Sequence, residues 1–142
     1  MSDLNASRAP RVLLIDDDDV VIGSLRRYLA AQGSHVEIAT DPTLTAGEFD
    51  VVVVDPYLTG ARHDGAPSLI VTARTTQPHA SLFVLTAYPS NEINAIAAAQ
   101  NAVAVLTKPQ SIVYIADLVI HSCASTVGSA PPALALSPKG SV

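Results

Sequence analysis

The sequence has little charge, few aromatic residues and a single cysteine, and each shortage excludes a class of protein. Because Cys123 is the only cysteine among 142 residues, no internal disulfide can form, which fits a reducing compartment. The 13 acidic residues outnumber the eight lysines and arginines and give a net charge of −5. Such an acidic, lysine-poor chain lacks the basic surface that binds nucleic acid, so direct DNA binding is not expected.

Long apolar runs are also missing. Residues 1–10 contain no apolar segment of the kind that a signal peptide needs. Nowhere does an apolar run reach the ~18 residues required to span a membrane, and Asp117 interrupts the most apolar candidate, residues 112–120. We therefore expect a cytoplasmic protein with no membrane association.

Strand and helix signals alternate along the chain, as in βα units that build a parallel sheet. The predicted strands are Arg11–Ile15, His35–Ala39, 51–55, 82–86 and 103–106. The predicted helices are one that ends at Gly33, a short one within 40–50, and three longer ones at 67–76, 90–100 and 109–124. The length suits one domain, placed at 10–125, with a flexible N-terminus at 1–9 and a disordered tail at 126–142.

Acidic residues follow two of the most apolar predicted strands. Four valines, 51–54, precede Asp55, and a second apolar run, 12–15, precedes Asp16 and Asp17. A run that is apolar on both faces is typical of a central strand in a buried parallel sheet. Since ligands bind at the carboxyl edge of such sheets, the sequence predicts an acidic pocket there.

Two further residues are expected at the same edge. Thr86 ends the apolar run 82–85, and Lys108 follows the last predicted strand. Lys108 is one of only two lysines in the chain, and the other, Lys139, lies in the predicted tail. A lysine at this position is therefore a candidate partner of the carboxylates rather than one of many surface charges.

These residues, in this order, resemble the receiver domain of two-component response regulators. The matching segments are Leu-Leu-Ile-Asp16-Asp17, Val-Val-Val-Asp55, Val-Leu-Thr86-Ala87 and Leu-Thr-Lys108-Pro109. The resemblance covers residues 10–124, and four motifs in the right order are a specific signal. It implies a doubly wound, flavodoxin-like fold: a five-stranded parallel sheet of order 2-1-3-4-5 with helices on both faces.

The resemblance also implies a function, that of a stand-alone receiver similar to the chemotaxis regulators. Asp55 would accept a phosphoryl group from a histidine kinase or a phosphorelay protein, and the domain would signal through contact with a downstream protein. It would be a signalling domain rather than an enzyme. The family binds Mg²⁺, which Asp17, Asp55 and the Tyr57 backbone carbonyl would hold directly and Asp16 through water.

The remaining family positions have signalling roles. The resemblance implies that Lys108 pairs with a phosphoryl oxygen and that Thr86, beside Ala87, carries the switch by moving inward. The family's usual aromatic at the coupling position is replaced by Val105, which makes coupling to the output face uncertain. The positions that tune phosphoryl lifetime are Tyr57 and Tyr88, and we hypothesise that their rings screen the acyl phosphate from water.

The last two predicted helices, 90–100 and 109–124, carry few polar residues. A helix that packs on one side only should show a polar stripe, so its scarcity favours a homodimer or a docked partner on this face. An alternative is that the tail covers the face through Leu134 and Leu136.

Two other functions stay open at this point. One is a pseudo-receiver, a docking module that no longer takes phosphate. The other is a haloacid-dehalogenase-type phosphatase, since Asp16-x-Asp18-x-Val20 after an apolar strand matches that family's nucleophile motif. Asp16 would then be the nucleophile and Asp18 the general acid; otherwise Asp18 and Asp19 are expected only to cap a helix.

Overall fold

Five parallel strands form the centre of the protein in the computed structural model, which describes residues 9–40, 47–57 and 62–128. The strands are β1 (Arg11–Ile15), β2 (His35–Ala39), β3 (Val51–Val54), β4 (Ser81–Thr86) and β5 (Ala104–Thr107). Their order in the sheet is β2-β1-β3-β4-β5. The predicted doubly wound, flavodoxin-like fold with strand order 2-1-3-4-5 is confirmed.

Four helices lie within the described part of the chain. They are α1 (Asp19–Ala31), α2 (Arg62–Thr76), α3 (Asn91–Ala99) and α4 (Ile112–Gly128). The short helix predicted within 40–50 falls largely outside the described residues. The last helix begins later than predicted, at Ile112, and continues to Gly128, past the predicted end at residue 124.

Alternating side chains of the strands feed two separate cores, one on each face of the sheet. On one face, Val12 and Leu14 pack with the buried residues of α1 and α4, among them Leu25 and Ile115. On the other face, residues such as Val52 pack with the buried residues of α2 and α3. Because both faces are covered, every residue of β3 is buried, which explains its four consecutive valines.

Local sequence signals set the ends of the helices. Asp18 caps α1 by accepting a hydrogen bond from the Val21 N–H, and Ser90 caps α3 by accepting one from the Ile93 N–H. At the other ends, Gly33 has φ of 98° and Asn101 has φ of 58°. Both positive values were expected from the sequence, because these two residue types tolerate the left-handed region best.

One arginine holds together the N-terminal side of β4 and the turn before β5. The Arg74 guanidinium donates to five backbone carbonyls, those of Gln77, Pro78, Ala80, Gln100 and Asn101, at 2.8 to 3.5 Å.

No helix in the described part of the chain is long and apolar enough to cross a membrane.

Candidate functional site

Two buried aspartates and one lysine meet at the carboxyl edge of the sheet. Lys108 Nζ lies 2.9 Å from Asp55 Oδ2 and 3.0 Å from Asp16 Oδ2. Asp16 is 5% exposed and Asp55 is 7% exposed, so the cluster lies within the protein rather than on its surface. The structure therefore brings together three residues that are distant in the sequence, since Asp16 and Lys108 are 92 positions apart.

The sheet itself places these side chains. Ile15 pairs with Val54, so the residues that follow them, Asp16 and Asp55, leave neighbouring strands at the same level. The Asp55 N–H donates to the Ile15 carbonyl at 2.8 Å, which extends the ladder by one bond. The Lys108 N–H donates to the Thr86 carbonyl at 2.8 Å in the same way, beyond the end of β5. The peptide bond that follows Lys108 is cis.

Each buried carboxylate uses its second oxygen to accept a backbone hydrogen bond. Asp55 Oδ1 accepts from the Tyr57 N–H at 2.8 Å, and Asp16 Oδ1 accepts from the Asp18 N–H at 3.0 Å. These short loops after the strands fix the direction of both carboxylates. Both aspartates thus present the remaining oxygen, Oδ2, to the same point, which Lys108 occupies.

Burial and charge act against each other in this cluster. Loss of hydration raises the pKa of Asp16 from 3.8 to about 6; the hydrogen bond from Lys108 lowers it only in part, and the nearby charge of Asp55 raises it further. For Lys108, burial lowers the pKa, but the hydrogen bonds to Asp55 and Asp16 outweigh burial and raise it above 10.5. The lysine is therefore firmly cationic, and the negative charge on Asp16 is the costly one.

Thr86 completes the site from the end of β4. It is fully buried, and its Oγ1 accepts a hydrogen bond from the Tyr88 N–H at 3.0 Å. Ala87, between them, is exposed. Because this oxygen only accepts in that bond, the hydroxyl can still donate its own proton to another group.

The two tyrosines predicted to flank the site contact each other. The rings of Tyr57 and Tyr88 are 5.6 Å apart between centroids and meet edge to face at 87°. Tyr57 is half-buried, whereas Tyr88 is 63% exposed. The backbone N–H of each tyrosine bonds to a side chain of the site, that of Asp55 or Thr86, so this ring pair connects the loops after β3 and β4.

The other predicted site residues lie around this centre. Asp17 is half-buried beside Asp16. Val105, at the coupling position, is half-buried and packs against the core formed with α2 and α3. The sequence did not indicate that Asp18 belongs to this charged cluster. Its Oδ2 lies 3.6 Å from Lys108 Nζ. Its position as a helix cap was visible in the sequence, but its approach to a lysine 90 residues away was not.

The donor atoms in the site suit a hard divalent cation, although they are not yet arranged around one. Asp16 and Asp55 share the single ammonium of Lys108, so two carboxylates face one positive charge. Oxygen donors with surplus negative charge are what Mg²⁺ or Ca²⁺ prefers. Within residues 9–40, 47–57 and 62–128, however, no three acidic, histidine or cysteine side chains are grouped as metal ligands.

The last helix, α4, which was predicted to take part in an interface, has both packed and exposed apolar side chains. Ile112, Leu118 and Ile120 of α4 pack against the core that this helix shares with α1. Val113 and Tyr114 remain exposed, at 47% and 49%. Among the α4 side chains whose burial is described, residues 112–123, the large exposed apolar ones lie in the first turn.

No protein-family model and no curated protein sequence matches this chain. Solved structures do match. A CheY-like response regulator receiver domain protein from Methanospirillum hungatei JF-1 aligns with a TM-score of 0.72 and 21% identity, over 83% of this chain and 96% of the other. A response regulator from Thermotoga maritima aligns with a TM-score of 0.68 and 23% identity, over 83% of this chain and 100% of the other.

A third match has higher sequence identity. It is a response regulator from Burkholderia pseudomallei, solved with a phosphorylated aspartic acid, a calcium ion and citrate. It is 30% identical, with a TM-score of 0.67, over 82% of this chain and 70% of the other.

Fold and site together define a doubly wound α/β domain with an acidic site at the carboxyl edge of its sheet. The chain belongs to the receiver domains of response regulators, and the haloacid-dehalogenase interpretation is left without support.

Proposed function

We propose that the chain takes a phosphoryl group on Asp55 from a histidine kinase or a phosphotransfer protein and passes the signal on by contact with another protein. One observation carries the proposal: Lys108 lies between Asp55 and Asp16 at the carboxyl edge of the sheet. A buried cation there offsets the negative charge that a phosphoryl group would bring. Neither helix packing nor strand pairing requires a lysine at this point.

The chemistry that these residues would perform is a transfer to a carboxylate. An oxygen of Asp55 attacks phosphorus, a P–O bond forms, and the bond from phosphorus to the donor breaks. For a phosphohistidine donor that bond is P–N, and the imidazole leaves with the electron pair and takes up a proton. The product is an acyl phosphate, and Lys108 pairs with one of its oxygens as a point charge.

A divalent cation belongs to this proposal, and Mg²⁺ is the one proposed. Asp17, Asp55 and the Tyr57 carbonyl would hold it directly and Asp16 through water. Support comes from the all-oxygen donor set and from the surplus of carboxylates over ammonium groups in the site. When bound, such a cation neutralises phosphoryl oxygens and the carboxylates that would otherwise repel them. The calcium ion in the Burkholderia pseudomallei protein is consistent with a cation in this type of site.

Thr86 is proposed to read the modification. Its hydroxyl, which accepts the Tyr88 N–H, would move toward Asp55 and donate its proton to a phosphoryl oxygen, and the backbone beyond Ala87 would move with it. Val105, at the family's coupling position, is too small to copy a large aromatic movement. We propose that a smaller rearrangement of the loop after β4 carries the signal instead.

The rings of Tyr57 and Tyr88 are proposed to prolong the phosphorylated state. Their edge-to-face contact connects the two loops that border Asp55, and Tyr57 is held by its N–H bond to the acceptor itself. Two rings in this position would restrict the approach of water to the acyl phosphate.

A protein partner is proposed at the edge of the sheet formed by β5, where α3 and α4 lie on the two sides, and a second copy of the chain is one candidate. The exposed Val113 and Tyr114 in the first turn of α4 support it. Light scattering at micromolar concentration, with and without phosphodonor, tests the homodimer, and a monomer in both samples would remove it.

We place the phosphoryl transfer and the signalling contact in the cytoplasm, with no role for nucleic acid or membrane.

Intact mass spectrometry tests the central proposal. The protein is incubated with Mg²⁺ and a small-molecule phosphodonor, beside Asp55→Asn. We expect a gain of one phosphoryl group that the variant does not show. Asp19→Asn, which removes an equal charge from the exposed first turn of α1, is the matched control and should behave as the native chain does.

The second candidate function is the pseudo-receiver, and one observation favours it. Within the described ranges, no three acidic, histidine or cysteine side chains are grouped as metal ligands. A docking module of this kind would show no mass gain and no change in tyrosine fluorescence on addition of Mg²⁺. A response to Mg²⁺ without a mass gain would instead indicate a receiver that accepts phosphate only from its own kinase.

A further inference from the structure

Asp18 makes contacts with two different parts of the protein. As the N-cap of α1 it accepts the Val21 N–H on Oδ1 at 3.3 Å, and its own N–H donates to Asp16 Oδ1 at 3.0 Å. Its other oxygen, Oδ2, faces Lys108 Nζ at 3.6 Å. The Asp18 side chain is therefore fixed by the helix that it caps while it approaches the lysine of the site.

The three carboxylates around Lys108 differ in exposure. The side chains of Asp16 and Asp55 are 7% and 9% exposed, whereas that of Asp18 is 41% exposed. Asp18 is thus the carboxylate on the solvent side of the cluster around the ammonium. A separation of 3.6 Å is too long for a hydrogen bond but short enough for direct attraction between the charges.

This arrangement matters because Lys108 bonds to the atom that is proposed to react. Asp55 Oδ2 accepts the Lys108 ammonium, and Oδ1 accepts the Tyr57 N–H, so both oxygens of the proposed acceptor have a donor. A carboxylate oxygen keeps a second lone pair when it accepts one hydrogen bond, but a bonded ammonium makes that oxygen a weaker nucleophile. Release of the ammonium from Oδ2 would therefore make Asp55 more reactive toward phosphorus. An anion on the solvent side that attracts the ammonium would assist that release, and Asp18 is placed to do so.

We propose that Asp18 is a positioning residue for Lys108: its carboxylate draws the ammonium toward the entrance of the site and thereby frees Asp55. The inference rests on the proposed function of Asp55 as phosphoacceptor. The capping contact keeps Asp18 in place, because movement of its carboxylate away from the lysine would leave the Val21 N–H without its cap.

Lysine NMR provides a direct test that needs no phosphodonor. Because the chain has only two lysines, a sample with ¹³C-labelled lysine gives two sets of side-chain signals, and Lys139→Arg identifies those of Lys108. The test variants are Asp18→Asn and Asp18→Ser, since Asn and Ser also cap helices well but carry no charge. Asp19→Asn is the control for loss of an equal charge from an exposed side chain of the same helix.

We expect both Asp18 variants to shift the Cε–Hε signals of Lys108 and to leave those of Lys139 unchanged, with Asp19→Asn close to the native spectrum. The same Asp18 variants should be phosphorylated about two- to fivefold more slowly at saturating Mg²⁺, the size expected for loss of a partly exposed ion pair. Melting temperatures should stay near the native value, because the cap is kept.

The outcomes separate the inference from the function on which it rests. If the native chain is phosphorylated on Asp55 but the Asp18 variants match Asp19→Asn in both spectrum and rate, the role of Asp18 is wrong and the receiver function stands. If the native chain takes no phosphate from donor or kinase, the proposed function fails first. A Lys108 spectrum that is unchanged in both Asp18 variants overturns the inference in either case.

Discussion

Replacing Asp16 by asparagine should stabilise the metal-free protein at neutral pH and have much less effect in acid. Burial raises the pKa of Asp16 from 3.8 to about 6, so the folded state holds its proton more tightly than the unfolded chain does. The stability that this proton contributes is complete below pH 3.8 and is lost as pH rises through about 6.

The size of the effect follows from the two pKa values. The difference between about 6 and 3.8 is about 2.2 units. At about 1.36 kcal/mol per unit, ionisation of Asp16 costs the native fold up to about 3 kcal/mol at pH 7.5. Asparagine has a similar shape and no charge, so Asp16→Asn removes this cost. About 0.6 kcal/mol of this cost is already present at pH 4, so its advantage over the native chain should be about 2.4 kcal/mol larger at pH 7.5 than at pH 4.

Urea unfolding in EDTA at both pH values measures the effect. The unfolding is followed by far-ultraviolet circular dichroism, because the chain contains no tryptophan whose fluorescence could report it. Asp19→Asn is the control, because its side chain is exposed in the first turn of α1. An advantage of Asp16→Asn that is equal at the two pH values, or larger in acid, would refute the argument that burial of this carboxylate is the costly element of the site.

Three further predictions concern the site and its scaffold. Tyr57→Ala and Tyr88→Ala should each raise the dephosphorylation rate of the phosphorylated protein severalfold; unchanged decay of the phosphoprotein in both would remove the screening role. Gly33→Ala should cost about 1–2 kcal/mol because φ is 98°, whereas Gly23→Ala inside α1 should gain up to about 1 kcal/mol, both by urea unfolding. Arg74→Ala should lower stability by about 2–3 kcal/mol through its lost carbonyl contacts, and a cost below about 0.5 kcal/mol would contradict this.

Most of the sheet could be predicted because two independent features of the sequence mark each central strand. The run 51–54 is apolar at every position, which a strand covered on both faces requires, and the polar residue that ends each run marks the carboxyl edge. Parallel strands place Asp16 and Asp55 at the same edge of the sheet, and the strand order implied by the resemblance to receiver domains places their strands side by side. The ends of α1 and α3 followed in the same way from the conformations that Gly33 and Asn101 tolerate.

What could not be predicted depends on tertiary packing. The sequence did not show which apolar side chains of the last helix pack within the chain. Ile112, Leu118 and Ile120 do so, because α4 contacts α1 as well as the sheet, whereas Val113 and Tyr114 stay exposed. The role of Asp18 was read as capping alone for a related reason. Only the folded chain brings Lys108 to within 3.6 Å of it.

The central claim, that Asp55 is the acceptor, is tested most directly by locating the modification. Protein treated with Mg²⁺ and phosphodonor is reduced with borohydride, which converts an acyl phosphate to the corresponding alcohol, and the peptides are sequenced by mass spectrometry. The account predicts homoserine in place of Asp55 and intact aspartate at Asp16, Asp17 and Asp18. Homoserine at Asp16 with Asp55 unchanged would contradict it and would place the nucleophile on β1 instead of β3.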